Sequence, residues 1–254
     1  MENSDNNKHH RGIYLLPNLF TTAAMFGGFY AIIAAMNQRY EAAAIAVFIA
    51  MVLDGLDGRV ARMTNTSSAF GAEYDSLSDM VSFGVAPALV MYEWSLVFMK
   101  DLGWQWGKLG WLAAFFFATM AALRLARFNT KVETADKRFF QGLPSPTAAA
   151  LMMGMVWVME DLAITGNEVK VYAFAMTLIA GALMVSNVSY FSFKQVDMRH
   201  KVPFMMLLAI VVVFMLITIE PAKVLFGIAL LYTASGPVIY LLRKLRKRKK
   251  VQSG

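Results

Sequence analysis

Residues 54–79 read DGLDGRVARMTNTSSAFGAEYDSLSD, a polar stretch set between two apolar ones. The run AAAIAVFIAMVL ends at Leu53, and Asp79 leads directly into MVSFGVAPALVMY. The stretch carries four aspartates, one glutamate and two arginines. Carboxylates beside hydrocarbon are costly unless a cation holds them. Asp54 and Asp57 are spaced i, i+3, and Asp75 and Asp79 i, i+4, so each pair shares a helical face. If the two helices pack side by side, four carboxylates converge. An all-oxygen ligand set suits Mg²⁺ or Mn²⁺ and not zinc. Two such ions would neutralise the acids and clamp a phosphoryl group undergoing in-line displacement. Gly55 and Gly58 leave the helix surface bare for a phosphate or a base, and Ala61 continues that small-residue face. Arg62, one turn beyond Gly58, is placed to pair with a phosphate. Glu73 falls outside the pattern and reads as solvated, while Arg59 reads as an interfacial anchor.

The rest of the chain supplies a membrane for this stretch. Over 254 residues, 58% are hydrophobic and 16% charged, with mean hydropathy +0.50, which is too apolar for a soluble domain. The net charge of +7 resides in a tail, Arg243 to Lys250, that fits anionic lipid headgroups and not nucleic acid. With no cysteine there is neither a disulfide nor a thiolate metal site. The polar start MENSDNNKHHRG lacks the pattern of a secretory signal.

Eight apolar segments follow one another: Leu15–Met36, Ala42–Gly58, Asp75–Met99, Leu109–Phe128, Thr147–Met159, Val169–Tyr190, Pro203–Ile219 and Pro221–Leu242. The expected fold is all-α, a polytopic membrane protein of about eight transmembrane helices in a single domain over residues 1–254. With both termini cytoplasmic, 19 of the 24 basic residues lie on the cytoplasmic side, leaving Arg39, Lys100, Lys108, Lys170 and Lys223 outside. The acidic stretch then faces the cytoplasm. Pro87, after Gly84, is expected to kink the third helix; Gly142, Pro144 and Pro146 to form a turn before the fifth. Trp94, Trp104, Trp106 and Trp111 are expected to form an aromatic belt at the outer interface. His9, His10 and His200 have no metal-ligand spacing.

The spacing DG-x-DG-x2-AR-x8-G-x3-D-x3-D, met by Asp54, Gly55, Asp57, Gly58, Ala61, Arg62, Gly71, Asp75 and Asp79, resembles the signature of the CDP-alcohol phosphotransferases. The resemblance implies a helical enzyme, usually a homodimer, with a site for two divalent cations, Mn²⁺ or Mg²⁺, opening to the cytoplasm. It implies that Asp54, Asp57 and Asp75 are metal ligands, and that Asp79 is a second-metal ligand and the general base. Gly58, Ala61, Arg62 and Gly71 would face the CDP group. PNLFT (Pro17–Thr21), RLARFN, FQGLPSP and MVSNVSYFSFK (Met184–Lys194) are similar to stretches of the bacterial membrane-embedded phosphatidylserine synthases. That similarity implies CDP-diacylglycerol and L-serine as substrates, membrane lipids as surroundings, and the bacterial inner membrane as location.

Arg124 and Arg127 share a helix face and Asn129 follows. They can hold the carboxylate of serine or a phosphate, or simply anchor a helix at the headgroups. Lys137 and Arg138 read as solvated or as partners of the lipid pyrophosphate. Glycerol 3-phosphate as acceptor is the nearest alternative. An ion-coupled transporter is remote, since its acids would sit near the midplane in two related halves.

Overall fold

The computed structural model describes residues 15–64, 68–130, 139–191 and 204–252, and these are nearly all helical. The chain runs α1 (Leu15–Met36), α2 (Tyr40–Thr64), α3 (Ala69–Asp79), a π-helical turn (Met80–Val85), α4 (Ala86–Trp94), a 3-10 segment (Leu96–Leu102) and α5 (Trp104–Thr130). It continues with β1 (Phe139–Gln141), α6 (Ser145–Asp161), α7 (Lys170–Val185), β2 (Ser189–Phe191), α8 (Phe204–Ile219) and α9 (Pro221–Gln252). Each of the eight apolar segments contains helix, but the third is broken at Ser95 and the sixth leaves its helix after Val185 and ends in β2. By length and apolarity, three helices among the described residues can cross a membrane: Pro17–Met36, Trp104–Thr130 and Pro221–Leu242. The bent run Ala69–Trp94 with Leu96–Leu102 makes a fourth if it counts as one span. Eight crossings are therefore not established by the helices themselves. α6, α7 and α8 have 17, 16 and 16 residues, short of the roughly 20 that a bilayer core requires.

α8 argues most directly for lipid. It is apolar on every side, and Val211 to Leu216 are all exposed. A helix apolar all round is stable only inside a protein core or in hydrocarbon. Among the described residues no protein covers Val211 to Leu216, and their composition fits hydrocarbon.

Small residues set the close packing of the interior. α1 and α2 form an antiparallel hairpin whose contact is Ala31, Ala34, Ala43, Ala44, Val47 and Ala50, all buried. A Cβ on Gly27 would come within 3.1 Å of the Ala50 Cβ, so the two backbones nearly touch. α1 also lies against α3 and the π-helical turn. Ser78 Oγ donates to the Thr21 carbonyl and Ser82 Oγ to the Ala24 carbonyl, both at 3.0 Å. Gly28 completes the row: a Cβ there would stand 2.6 Å from the Ser82 Cα. α2 packs in turn on α6, and α6 on α9.

Two expectations are corrected here. Pro87 does not kink a helix; it is the second residue of α4, just past the π-helical turn. A proline ring collides with the carbonyl four residues back. In the π turn before it the Ala86 N–H bonds the Val81 carbonyl, five residues back instead of four. The bend of 41° falls instead at the break after Trp94. Trp94 also leaves the proposed belt. It is 1% exposed, and its indole N–H donates to Glu160 Oε1 at 2.7 Å. Trp104, Trp106 and Trp111 are exposed as a belt requires.

The turn before α6 forms as read. Gly142 has φ +81°, and Pro146 lies in the first turn of α6. The short antiparallel pair β1–β2 matches Phe140 with Tyr190 and Gln141 with Ser189.

Candidate active site

α2 does not end at its aspartates, as the sequence suggested, but continues to Thr64. Asp54 and Asp57 therefore project from an intact helical wall. α3 begins at Ala69, with Ser68 as its N-cap, whose Oγ accepts from the Gly71 N–H at 3.0 Å. This start, six residues before Asp75, puts Asp75 and Asp79 on the later turns of α3, which packs against α1 as α2 does.

The packing brings the aspartates together. Carboxylate oxygens of Asp54, Asp57 and Asp75 lie within 4.8 Å of one another. Asp79 adjoins this group: its side chain is in hydrogen-bond contact with Asp54, and Asp75 and Arg124 are its other charged neighbours. Asp79 Oδ1 is buried with no hydrogen-bond partner among the described residues. Two ionised carboxylates do not share a hydrogen bond unless a proton or a cation stands between them. Four such groups, one with an unfilled lone-pair site, fit a divalent cation, and their all-oxygen chemistry fits Mg²⁺ or Mn²⁺.

Beside the cluster opens a cleft of about 140 Å³. Asp57, Gly58, Ala61, Gly71 and Asp75 line it, as do Pro17, Asn18, Thr21, Ser68 and Ala72. A Cβ on Gly55 or Gly58 would meet nothing within 4 Å, so the α2 surface is open there. Arg62 is exposed one turn beyond Gly58, and it is absent from the cleft lining.

Arg124, Arg127 and Asn129 of α5, grouped together in the sequence, have separate surroundings. Arg124 Nη1 donates to Ser145 Oγ at 2.7 Å, and its charge lies near Asp79. Arg127 spends its guanidinium on the chain around β1 and β2. It donates to Gln141 Oε1 and Asn187 Oδ1, both at 2.8 Å, and to the Val185 carbonyl at 3.2 Å. Asn129 Nδ2 donates to Ser76 Oγ at 3.0 Å, next to Asp75. Lys137 and Arg138 lie outside the described residues. Glu73 is exposed and apart from the cluster, as is Arg59.

Sequence reasoning left Thr21 without a task. Its hydroxyl donates to Asp57 Oδ2 at 2.5 Å, and both residues are buried. Proline at position 17, four residues before a threonine on an apolar helix, was the available signal. Asn18 and Ser68 were missed as well, since only the packing of α1 against α3 carries them to the cleft.

Fold and site together define a helical membrane protein with a carboxylate cluster built for a divalent cation beside an open cleft. The chain belongs to the CDP-alcohol phosphatidyltransferase family, whose profile matches residues 14–188. It is similar to CDP-diacylglycerol–serine O-phosphatidyltransferase of Helicobacter pylori, with 38% identity over 221 residues, 87% of this chain and 90% of the relative. The proteins of the same name from Saccharomyces cerevisiae and Methanocaldococcus jannaschii are 35% and 37% identical over 156 and 144 residues. Those matches cover 56% and 57% of this chain, and 53% and 61% of the respective relatives.

Proposed function

We propose that the protein transfers the phosphatidyl group of CDP-diacylglycerol to L-serine, giving phosphatidylserine and CMP. The observation that carries this reading is the near full-length similarity to the H. pylori enzyme of that name, on a chain whose aspartates converge. Asp54, Asp57, Asp75 and Asp79 hold the divalent cations. When bound, these ions polarise the phosphates and neutralise charge growing on the leaving group.

Gly58, Ala61 and Gly71 line the cleft that admits the CDP group, and Arg62, exposed one turn beyond Gly58, pairs with its phosphates. The serine hydroxyl oxygen attacks the phosphorus that carries diacylglycerol. Its proton passes to the Asp79 carboxylate, the pyrophosphate P–O bond breaks, and CMP leaves with the electron pair. Arg124, fixed by Ser145 near Asp79, is the best placed of the α5 residues to meet the serine carboxylate. Arg127 already has three acceptors and serves the framework. Asn129 supports α3 through Ser76.

The chain forms one domain of eight spans, both termini and the site facing the cytoplasm of a bacterial inner membrane, and functions as a homodimer. The test is to incubate purified protein with CDP-diacylglycerol, Mn²⁺ or Mg²⁺, and labelled serine or glycerol 3-phosphate. Phosphatidylserine with equimolar CMP is the expected result; label entering lipid only from glycerol 3-phosphate overturns the choice of acceptor. Asp79→Asn, which keeps the shape but cannot take a proton, lowers CMP release by about 10²–10⁴-fold.

A further inference from the structure

We infer that Thr21 is the positioning residue of the metal site, joining the two halves of the aspartate pattern. The inference rests on the reading that the aspartates hold a divalent cation. α1 carries no acid of the cluster, yet both acid-bearing helices pack against it. Thr21 reaches each of them by a different group. Its hydroxyl donates to Asp57 Oδ2 on α2 at 2.5 Å, and its carbonyl accepts from Ser78 Oγ on α3 at 3.0 Å, one residue before Asp79. The same hydroxyl lies 3.1 Å from the Pro17 carbonyl, but it has one hydrogen and the charged, nearer oxygen takes it.

An aspartate can turn its carboxylate about the Cβ–Cγ bond with little resistance. A buried donor on Oδ2 fixes that plane, so the remaining lone pairs of Asp57 keep one direction toward Asp54 and Asp75. Such outer partners of a ligand are worth about 10–100-fold in metal affinity.

The test measures Mn²⁺ binding to the purified, metal-stripped protein from the electron paramagnetic resonance signal of free Mn²⁺. Thr21→Val keeps shape and backbone but removes the donor, and it weakens Mn²⁺ binding about 10–100-fold. Thr21→Ser restores binding to within about threefold of the parent, and all three metal-free proteins still unfold cooperatively. Should the valine variant not insert, Thr21→Ala makes the same comparison without added bulk. Parental Mn²⁺ affinity in the variant lacking the hydroxyl, or equal weakening by Thr21→Ser, overturns the inference. Asp57→Asn in the same assay separates the two readings. If it binds Mn²⁺ like the parent, the metal assignment itself is lost. If it loses Mn²⁺ while Thr21→Val does not, only the role of Thr21 is lost.

Discussion

Two glycines show how differently one residue type is used in this chain. A methyl group added at Gly58 meets no protein atom within 4 Å, whereas at Gly142 it would stand 2.1 Å from the Met184 carbonyl oxygen, on a backbone with φ +81°. Gly58 lies inside a helix, where alanine is favoured by about 0.5–1 kcal/mol. Gly58→Ala should therefore hold or raise the unfolding midpoint in detergent, yet raise the KM for CDP-diacylglycerol several-fold, because the space it fills is the substrate's. Unchanged KM would show that the CDP group lies elsewhere. Gly142→Ala should do the reverse. It loses about 1–3 kcal/mol to backbone strain alone, read as a lower unfolding midpoint, with the carbonyl collision adding to the loss.

The elements divide into those that carry acids and those that brace them. α2 and α3 carry all four aspartates; α1 holds α2 through Thr21, α3 through Ser78 and the π-helical turn through Ser82, while on α5 Arg124 is fixed to Ser145 and Arg127 to Gln141. Arg127→Met should lower stability by roughly 1.5–3 kcal/mol, the worth of a charged hydrogen-bonded group. Arg127→Lys should rescue little, since an ammonium cannot fork to Gln141, Asn187 and the Val185 carbonyl at once. Thermal unfolding of the two variants in detergent checks both expectations.

This division also explains what could be read from residues alone. The acid spacing was legible because helical periodicity places i, i+3 and i, i+4 on one face wherever the helix lies. The turn at Gly142 was legible because glycine and proline act locally. Thr21, Ser78 and Ser82 were not, because each finds its partner on another helix, more than thirty positions away. Trp94 failed for the same reason: its acceptor, Glu160, is 66 residues distant. The π-helical turn was hidden because the proline that it accommodates reads equally well as a kink.

At the scale of the whole molecule, the proposed cation site sets what metal removal should do. Chelation should stop CMP release, and re-addition of Mn²⁺ or Mg²⁺ should restore it. Saturating metal should also raise the unfolding midpoint, since about 2.7 kcal/mol accrues at a hundred times the dissociation constant. The lack of cysteine makes the crossing count directly measurable. With single cysteines introduced, Asn167→Cys should react with an impermeant maleimide from outside intact cells, and Gln252→Cys only after lysis. Equal labelling of both would reject eight spans with cytoplasmic ends.

The tyrosine of β2 has a bearing on how the protein is made. The Tyr190 ring fills the space that Gly236 leaves bare, stacks on Tyr232 and donates its hydroxyl to the Thr233 carbonyl at 3.1 Å. β2 meanwhile secures Gly142, whose N–H donates to the Val188 carbonyl at 2.8 Å. The ribosome finishes every aspartate of the cluster long before it reaches Val188 or Gly236. All four aspartates are thus made before the residues that fasten β2, and α9 supplies the seat on which Tyr190 comes to rest.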